Sequence, residues 1–361
     1  MLATDHAEMP RVRSRALRVL FVVFALGVPT AGLAEEGDAP LLRVPSVVGD
    51  ITYSPGRGAR LGDTGIALGG YGDLSVTRDE GGPAQLATDE LSLFVSWDPM
   101  PRFHLFSELE VEDAFVVDDQ GRGGTNAANF TTERLYADVL LSDVFVVRAG
   151  KFLTPVGRWN VIHAQPLVWT TSRPLATTLP FDPHTTGIML LGAVPARGAT
   201  LGYALYGQAT DQLDPSSEPQ LQDRAGGARL EYSAPAGWSV GASYLGFTHF
   251  DRWHHLGGLD AFWRRGRLEM MAELTYEQVS RDAAGQWGFY LQPVIETLPR
   301  TFLVLRYEHY DQPFGPVVDL GVTGVAWRPF PYLVLKVEYL FSSHRASESP
   351  PGFKSSVAIL F

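Results

Sequence analysis

Residues 150 to 160 read GKFLTPVGRWN and gather Lys151, Arg158 and Trp159 around two glycines and a proline. A cationic, glycine-rich stretch could cradle a phosphate, but the order G-x-x-x-x-G-K-[ST] is missing and no helical period follows. Pro155 and Gly157 fit better as a turn that ends a strand and redirects the chain. His163, Arg173 and His184 follow, with Asp182 as the acid among them, so this region is basic inside a chain whose formal charge is −11. A second group is Glu108, Glu110 and Glu112, which in a strand would share one face at intervals of about 7 Å. Such a ladder most simply wets a solvated wall, with a divalent-cation site as the lesser alternative. A basic segment opposite an acidic wall would create a transverse field able to order water and orient polar solutes. Arg158 and Arg173 could either line such a constriction or pin their segment to wall carboxylates.

Other chemistries find less support. The acidic balance disfavours nucleic acid as a partner. The chain has no cysteine, which removes disulfides, thiol catalysis and thiolate metal sites. A hydrolase would need a nucleophile or activated water beside His and carboxylate partners. The candidates His104, His249, His254, His255 and His309 stand in no Ser or Asp motif, so neither an enzyme nor a bound cofactor or metal is expected.

The elements that position these residues begin after a processing signal. Arg11, Arg13, Arg15 and Arg18 precede the apolar run VLFVVFALGV, and Gly32 and Ala34 form a small-x-small cleavage site, so residues 1–34 are expected to be removed. The run is shorter than the roughly 20 residues a membrane-spanning helix requires, and nothing later is comparable. Residues 35–63 are expected to form a short periplasmic segment, too small for the globular plug of an energy-coupled uptake barrel.

From residue 64 the apolar period is two. In GRLEMMAELTYEQV, Leu268, Met270, Ala272, Leu274 and Tyr276 fall on one face, and Arg267, Glu269, Met271, Glu273, Thr275 and Glu277 on the other. RFHLFSELEVED and YLVLKVEYLF repeat the split. The segments are longer than the five or six residues usual in soluble sheets and match the 9 to 11 of a membrane-spanning strand. Sixteen such segments fit between 64 and 361, or fourteen if the weakest, 226–233 and 255–264, are set aside. Tight links at PMP, SD, ARG, APA, TLP and PF alternate with long ones at 78–88, 114–129, 153–186 and 211–225, as expected of short periplasmic turns and longer outer loops. Trp97, Tyr232, Tyr244, Tyr276, Trp287, Trp327, Tyr332 and Tyr339 fall near segment ends, where an aromatic girdle belongs.

The closing FKSSVAILF puts Phe353, Ser355, Val357, Ile359 and Phe361 on one face. It resembles the C-terminal strand signature of bacterial outer-membrane barrels, whose final aromatic residue is read by the barrel assembly machinery. Residues 64 to 361 thus resemble the outer-membrane porins. VVRAGKFLTPVGRWN looks like the G-x-F-x-x-P-x-G segment of the phosphate-selective porin O/P-type superfamily. That family's selective members line the pore with closely spaced cations, whereas this wall is mixed or acidic, so phosphate selectivity is not carried over. The resemblance implies an all-β fold: a 16-stranded antiparallel transmembrane β-barrel, trimeric, embedded in outer-membrane lipid, passing small hydrophilic solutes and ions. It also implies that the long loop after strand 5, residues 153–186, folds inward and narrows the lumen. A substrate-specific anion or organic-acid channel of the same architecture is the second reading, and an outer-membrane hydrolase the third.

Overall fold

The computed structural model of the protein describes residues 40–125, 128–209, 224–280, 285–312, 315–344 and 349–361. The expected processing signal, 1–34, lies outside them. Sixteen long strands follow one another, each pairing antiparallel with the next. They are β1 Ile66–Asp79, β2 Ala84–Met100, β3 Phe103–Asp118, β4 Asn129–Ser142 and β5 Phe145–Leu153. After the inward loop come β6 His184–Ala196, β7 Ala199–Gln208, β8 Arg224–Ala234, β9 Trp238–His249, β10 Arg252–Arg265 and β11 Leu268–Val279. The wall is completed by β12 Gly285–Leu298, β13 Thr301–Asp311, β14 Val318–Phe330, β15 Leu333–Ser342 and β16 Gly352–Leu360.

The last strand returns to the first, with Ser356 opposite Ser75 and Leu360 opposite Tyr71, so the sheet closes. The backbone N–H groups of Phe361 and Gly70 each donate to the other's carbonyl at 2.9 Å. A Cβ on Gly70 would stand 2.8 Å from the Phe361 ring, so glycine there lets the final aromatic lie against the first strand. Closure pairs each of the sixteen barrel strands on both sides, the condition a sheet must meet to stand in hydrocarbon. Both segments whose strand character was weakest, 226–233 and 255–264, lie within full barrel strands, β8 and β10, so the count is sixteen rather than fourteen.

The radial pattern is inverted relative to a water-soluble protein. On β11, Leu274 and Tyr276 are 37% and 49% exposed, whereas Glu273 is 3% exposed. The same inversion puts Leu91, Leu93, Leu135, Val139, Leu205, Leu259, Leu305, Val325 and Val337 outside, and Arg148, Arg229, Asp260, Arg306, Glu308, Lys336 and Glu338 inside. Exposed Trp97, Trp238 and Trp327 stand towards the short-turn rim, and exposed Tyr244, Trp253, Tyr276 and Tyr307 towards the other, as girdles flanking an apolar band.

The links 78–88 and 114–129 are shorter than the sequence pattern implies. β1 runs to Asp79 and β2 begins at Ala84, while β3 continues to Asp118 and pairs with Gly123–Gly124. The ladder extends because paired backbone groups are better satisfied than loose ones. Before the barrel, three short strands, Leu42–Val44, Ile51–Ser54 and Gly58–Leu61, pair in succession, and the last adds to β1 through Ala59–Leu68 and Arg60–Ala67.

Candidate functional site

The inward loop leaves β5 and returns to β6 through a closed neck. Thr154 N–H donates to Pro183 O at 2.8 Å and its hydroxyl donates to Asp182 O at 2.9 Å. Asn160 Nδ2 ties both sides together, donating to Thr154 O at 2.9 Å and Pro183 O at 3.0 Å. Every residue from 151 to 187 is buried or part-buried, so the segment lies inside the wall throughout.

Gly157 turns the chain with φ +64°, in the left-handed region that favours glycine. A side chain there would collide with the Glu273 carboxylate. That close approach lets Gly157 N–H reach Ser243 Oγ at 3.3 Å and Trp159 N–H reach Glu273 Oε1 at 2.7 Å. A single helical turn, Trp159–Ile162, follows. Trp159 and Val168 pack with Met271 and Tyr290, and Leu175 packs with Tyr310 and Val318.

The loop's backbone polar groups are then taken up by charged side chains of the opposite wall. Glu338 accepts Thr171 N–H at 3.0 Å and Ser172 N–H at 2.7 Å, one on each oxygen. Glu308 accepts Leu175 N–H at 2.7 Å, and Glu269 accepts the Trp169 indole N–H at 2.5 Å. Arg306 donates to Ser172 O at 3.0 Å, Arg328 to Pro166 O at 2.8 Å, and Lys336 to Gln165 O at 3.0 Å and Thr170 O at 3.1 Å. Acidic and basic wall residues thus serve as partners for N–H and C=O groups that a strand-free segment inside a barrel would otherwise leave unsatisfied.

The loop residues singled out from sequence are placed as follows. Arg158 is buried, its guanidinium 4.3 Å from the Phe262 ring centroid. Arg173 stacks 4.8 Å from the Trp159 ring and donates to Asn160 Oδ1 at 2.7 Å and Thr177 O at 2.8 Å, contacts that brace the loop. Enclosure pushes the Arg173 pKa down to about 10, still charged at neutral pH, and pushes His163 down to about 3, so that imidazole is neutral. Asp182 is buried at the neck, and Lys151 is buried on β5 between Leu135 and Thr186 of its neighbours. His184 Nε2 lies 2.5 Å from Glu133 Oε2.

Glu108, Glu110 and Glu112 all point into the barrel but meet different partners. Glu108 is paired with Arg134, whose guanidinium lies 4.9 Å from the Phe106 ring. Glu110 accepts the Tyr71 hydroxyl at 3.0 Å and the Ser92 hydroxyl, and Glu112 accepts Asn129 Nδ2 at 3.3 Å. Cross-strand register adds Glu90 opposite Glu112 and Thr131 opposite Glu110. A bulge between Glu108 and Leu109 leaves Glu133 and Arg134, neighbours in sequence, both buried. Glu90 and Glu133 are two wall residues that the sequence pattern did not single out: neither lies on the β3 ladder, and the strand periodicity that would place them is broken at both positions.

The histidines considered as catalytic candidates sit near the rims. His104 meets Asp98 at 2.7 Å, His254 meets Glu277 at 2.5 Å, His255 meets the Tyr244 hydroxyl at 2.8 Å and His309 meets Asp319 at 2.9 Å. His249 packs against Phe250 with ring centroids 4.1 Å apart.

No family model matches the chain. An uncharacterized protein of Aquifex aeolicus is 23% identical over 356 residues, covering 82% of this chain and 80% of that one. Among solved structures, a loop L8 deletion mutant of OmpT, an outer membrane protein of Vibrio cholerae, superposes with a TM-score of 0.58 at 10% identity, covering 82% of this chain and 99% of that one. An anion-selective porin from Comamonas acidovorans gives 0.56 at 15% identity, covering 82% and 98%. The fold is shared with bacterial porins. The neighbouring sequences have diverged so far that the likeness speaks for architecture and leaves the lumen chemistry to be argued from this chain's own residues.

Proposed function

We propose that the protein is a bacterial outer-membrane channel through which small hydrophilic solutes and ions diffuse, with the loop between β5 and β6 as its constriction. The observation that carries this reading is the inverted barrel with a polar interior and a long loop folded wholly inside it. A 16-strand wall encloses more space than its own side chains fill, and the loop narrows what remains. Lys151, Arg158, His163, Arg173, Asp182 and His184 belong to that constriction, and Glu108, Glu110 and Glu112 to the pore wall. Homotrimer formation, a periplasmic position for residues 35–63 and recognition of Phe361 by the assembly machinery form part of the same proposal.

The channel favours cations. The wall cations Arg306 and Lys336 spend their donors on loop carbonyls and hydroxyls, and Arg173 is occupied inside the loop. Glu110, by contrast, is met by the neutral hydroxyls of Tyr71 and Ser92. That balance runs against the anion and organic-acid alternative, and against the selectivity of the phosphate-selective porins that GKFLTPVG resembles. Purified protein in planar bilayers is expected to give stepwise conductance with a reversal potential on the cation side in a salt gradient. Absence of conductance steps would remove the channel reading, and an anion-side potential would return the specific-channel alternative. Hydrolysis of peptide or ester substrates by the purified barrel would instead support the enzyme class.

A further inference from the structure

We propose that the inner face of β2, β3 and β4 holds a site for a hard divalent cation of the calcium type, built from Glu110, Glu112 and Glu133 with the Thr131 hydroxyl. Among the described residues, these three are the one group of His, Cys, Asp or Glu side chains with ligand atoms all within 4.8 Å of one another. Two oxygens bound to the same calcium at about 2.4 Å can be no farther apart than that, so one ion can touch all three carboxylates. Glu112 is only part-buried, which leaves an approach from the lumen.

An acidic cluster alone would be a solvated wall. Here Thr131 supplies a separate observation: its side chain is 6% exposed, stands directly opposite Glu110, and its Oγ1 is enclosed without a hydrogen-bond partner. Buried hydroxyls are normally paired, and this one shares the face on which the carboxylates converge. Glu90, opposite Glu112, also has an enclosed oxygen, Oε2, without a partner. Directly opposed like charges destabilise a sheet, and a dication at the centre of the group removes that repulsion.

The surroundings suit a cation. Tyr71 and Ser92 both donate to Oε2 of Glu110, so Oε1 can turn to the ion. His184 stands on Glu133 Oε2, in the place of an outer partner that orients a ligating carboxylate. Oxygen-only donors, carboxylates above all, select calcium or magnesium over softer metals. A site built across three flexible glutamates tolerates the irregular coordination that calcium accepts and magnesium resists. This proposal does not depend on whether solutes cross the lumen.

Terbium(III) tests it, because it replaces calcium on oxygen ligands and its emission is sensitised by a nearby phenol, here Tyr71. Protein refolded from lipopolysaccharide-free material is expected to show one saturable terbium site, emptied by added calcium. Glu110→Gln and Glu112→Gln should each weaken terbium binding tenfold or more, and Thr131→Val should weaken it by a smaller factor. Asp319→Asn, on the outer face, should leave it unchanged. Because the glutamate variants could fail to fold, the unsubstituted protein and Thr131→Val carry the decision, with barrel integrity followed by circular dichroism. Lack of saturable emission from the unsubstituted protein, or affinity unaltered in folded Glu112→Gln and Thr131→Val, would overturn the proposal.

Discussion

β3 and β11 both carry three glutamates on their inner faces, at every second position on β3 and every fourth on β11, yet the two sets do different work. On β11, Glu269 and Glu273 accept donors from the loop, the Trp169 indole and the Trp159 backbone N–H. On β3, Glu110 accepts from the wall residues Tyr71 and Ser92, and Glu112 accepts from Asn129. The difference lies in what faces each strand: most of the loop's hydrogen bonds run to the half of the barrel from β9 to β16, while towards β4 the contacts are the packing of Val156 and Phe181 in the cluster that holds Tyr136 and, at the neck, His184 against Glu133. A carboxylate is therefore structural or electrostatic here according to its neighbours, with no change in residue type.

Cutting the loop between Gly157 and Leu179, while keeping the neck at Thr154 and Pro183, should have the largest effect. Single-channel conductance is expected to rise several-fold, and an unaltered conductance would show that the constriction lies elsewhere. Next in size is the loss of a pin. Glu338→Ala strands two backbone N–H groups, and leaving buried donors unpaired costs about 1–3 kcal/mol. Urea unfolding in vesicles should register this loss, whereas Glu112→Gln should not, and equal losses would erase the distinction between the two walls.

Selectivity sharpens the contrast in the other direction. Glu112→Gln should move the reversal potential away from cation preference, while Glu269→Gln should move it less. A further effect appears only in acid. His163 is neutral in the folded protein, with its pKa near 3, and an unfolded histidine titrates at about 6.5. The unfolded chain therefore binds the proton first as pH falls, and stability is lost from about 6.5 down towards 3. His163→Asn should flatten that part of the pH profile relative to the parent, measured by the unfolding midpoint.

How much of this was legible in the sequence follows from what each contact is made of. Strands and their inner and outer faces could be read because a two-residue period is a local property, visible in Glu269 to Glu277 without knowledge of any partner. The loop was legible from its length, and its inward course from the resemblance to the porins. Its anchoring was not: Trp159 and Glu273 are 114 residues apart, and the donor is a backbone N–H, which every residue but proline carries. Glu133 was hidden for another reason. A bulge adds one residue to a strand and breaks the alternation on which face assignment depends.

The loop's partners also lie late in the chain. Glu273, Glu308 and Glu338 stand on β11, β13 and β15, all formed from sequence well beyond the loop itself. The segment that fills the interior thus has nothing to hold it until the far half of the wall exists, and closure waits in turn for β16 to meet β1. Contacts between such distant stretches of chain form slowly. The barrel's narrowest part is consequently among the last to acquire its final shape, and an assembling wall is wider inside than the finished one.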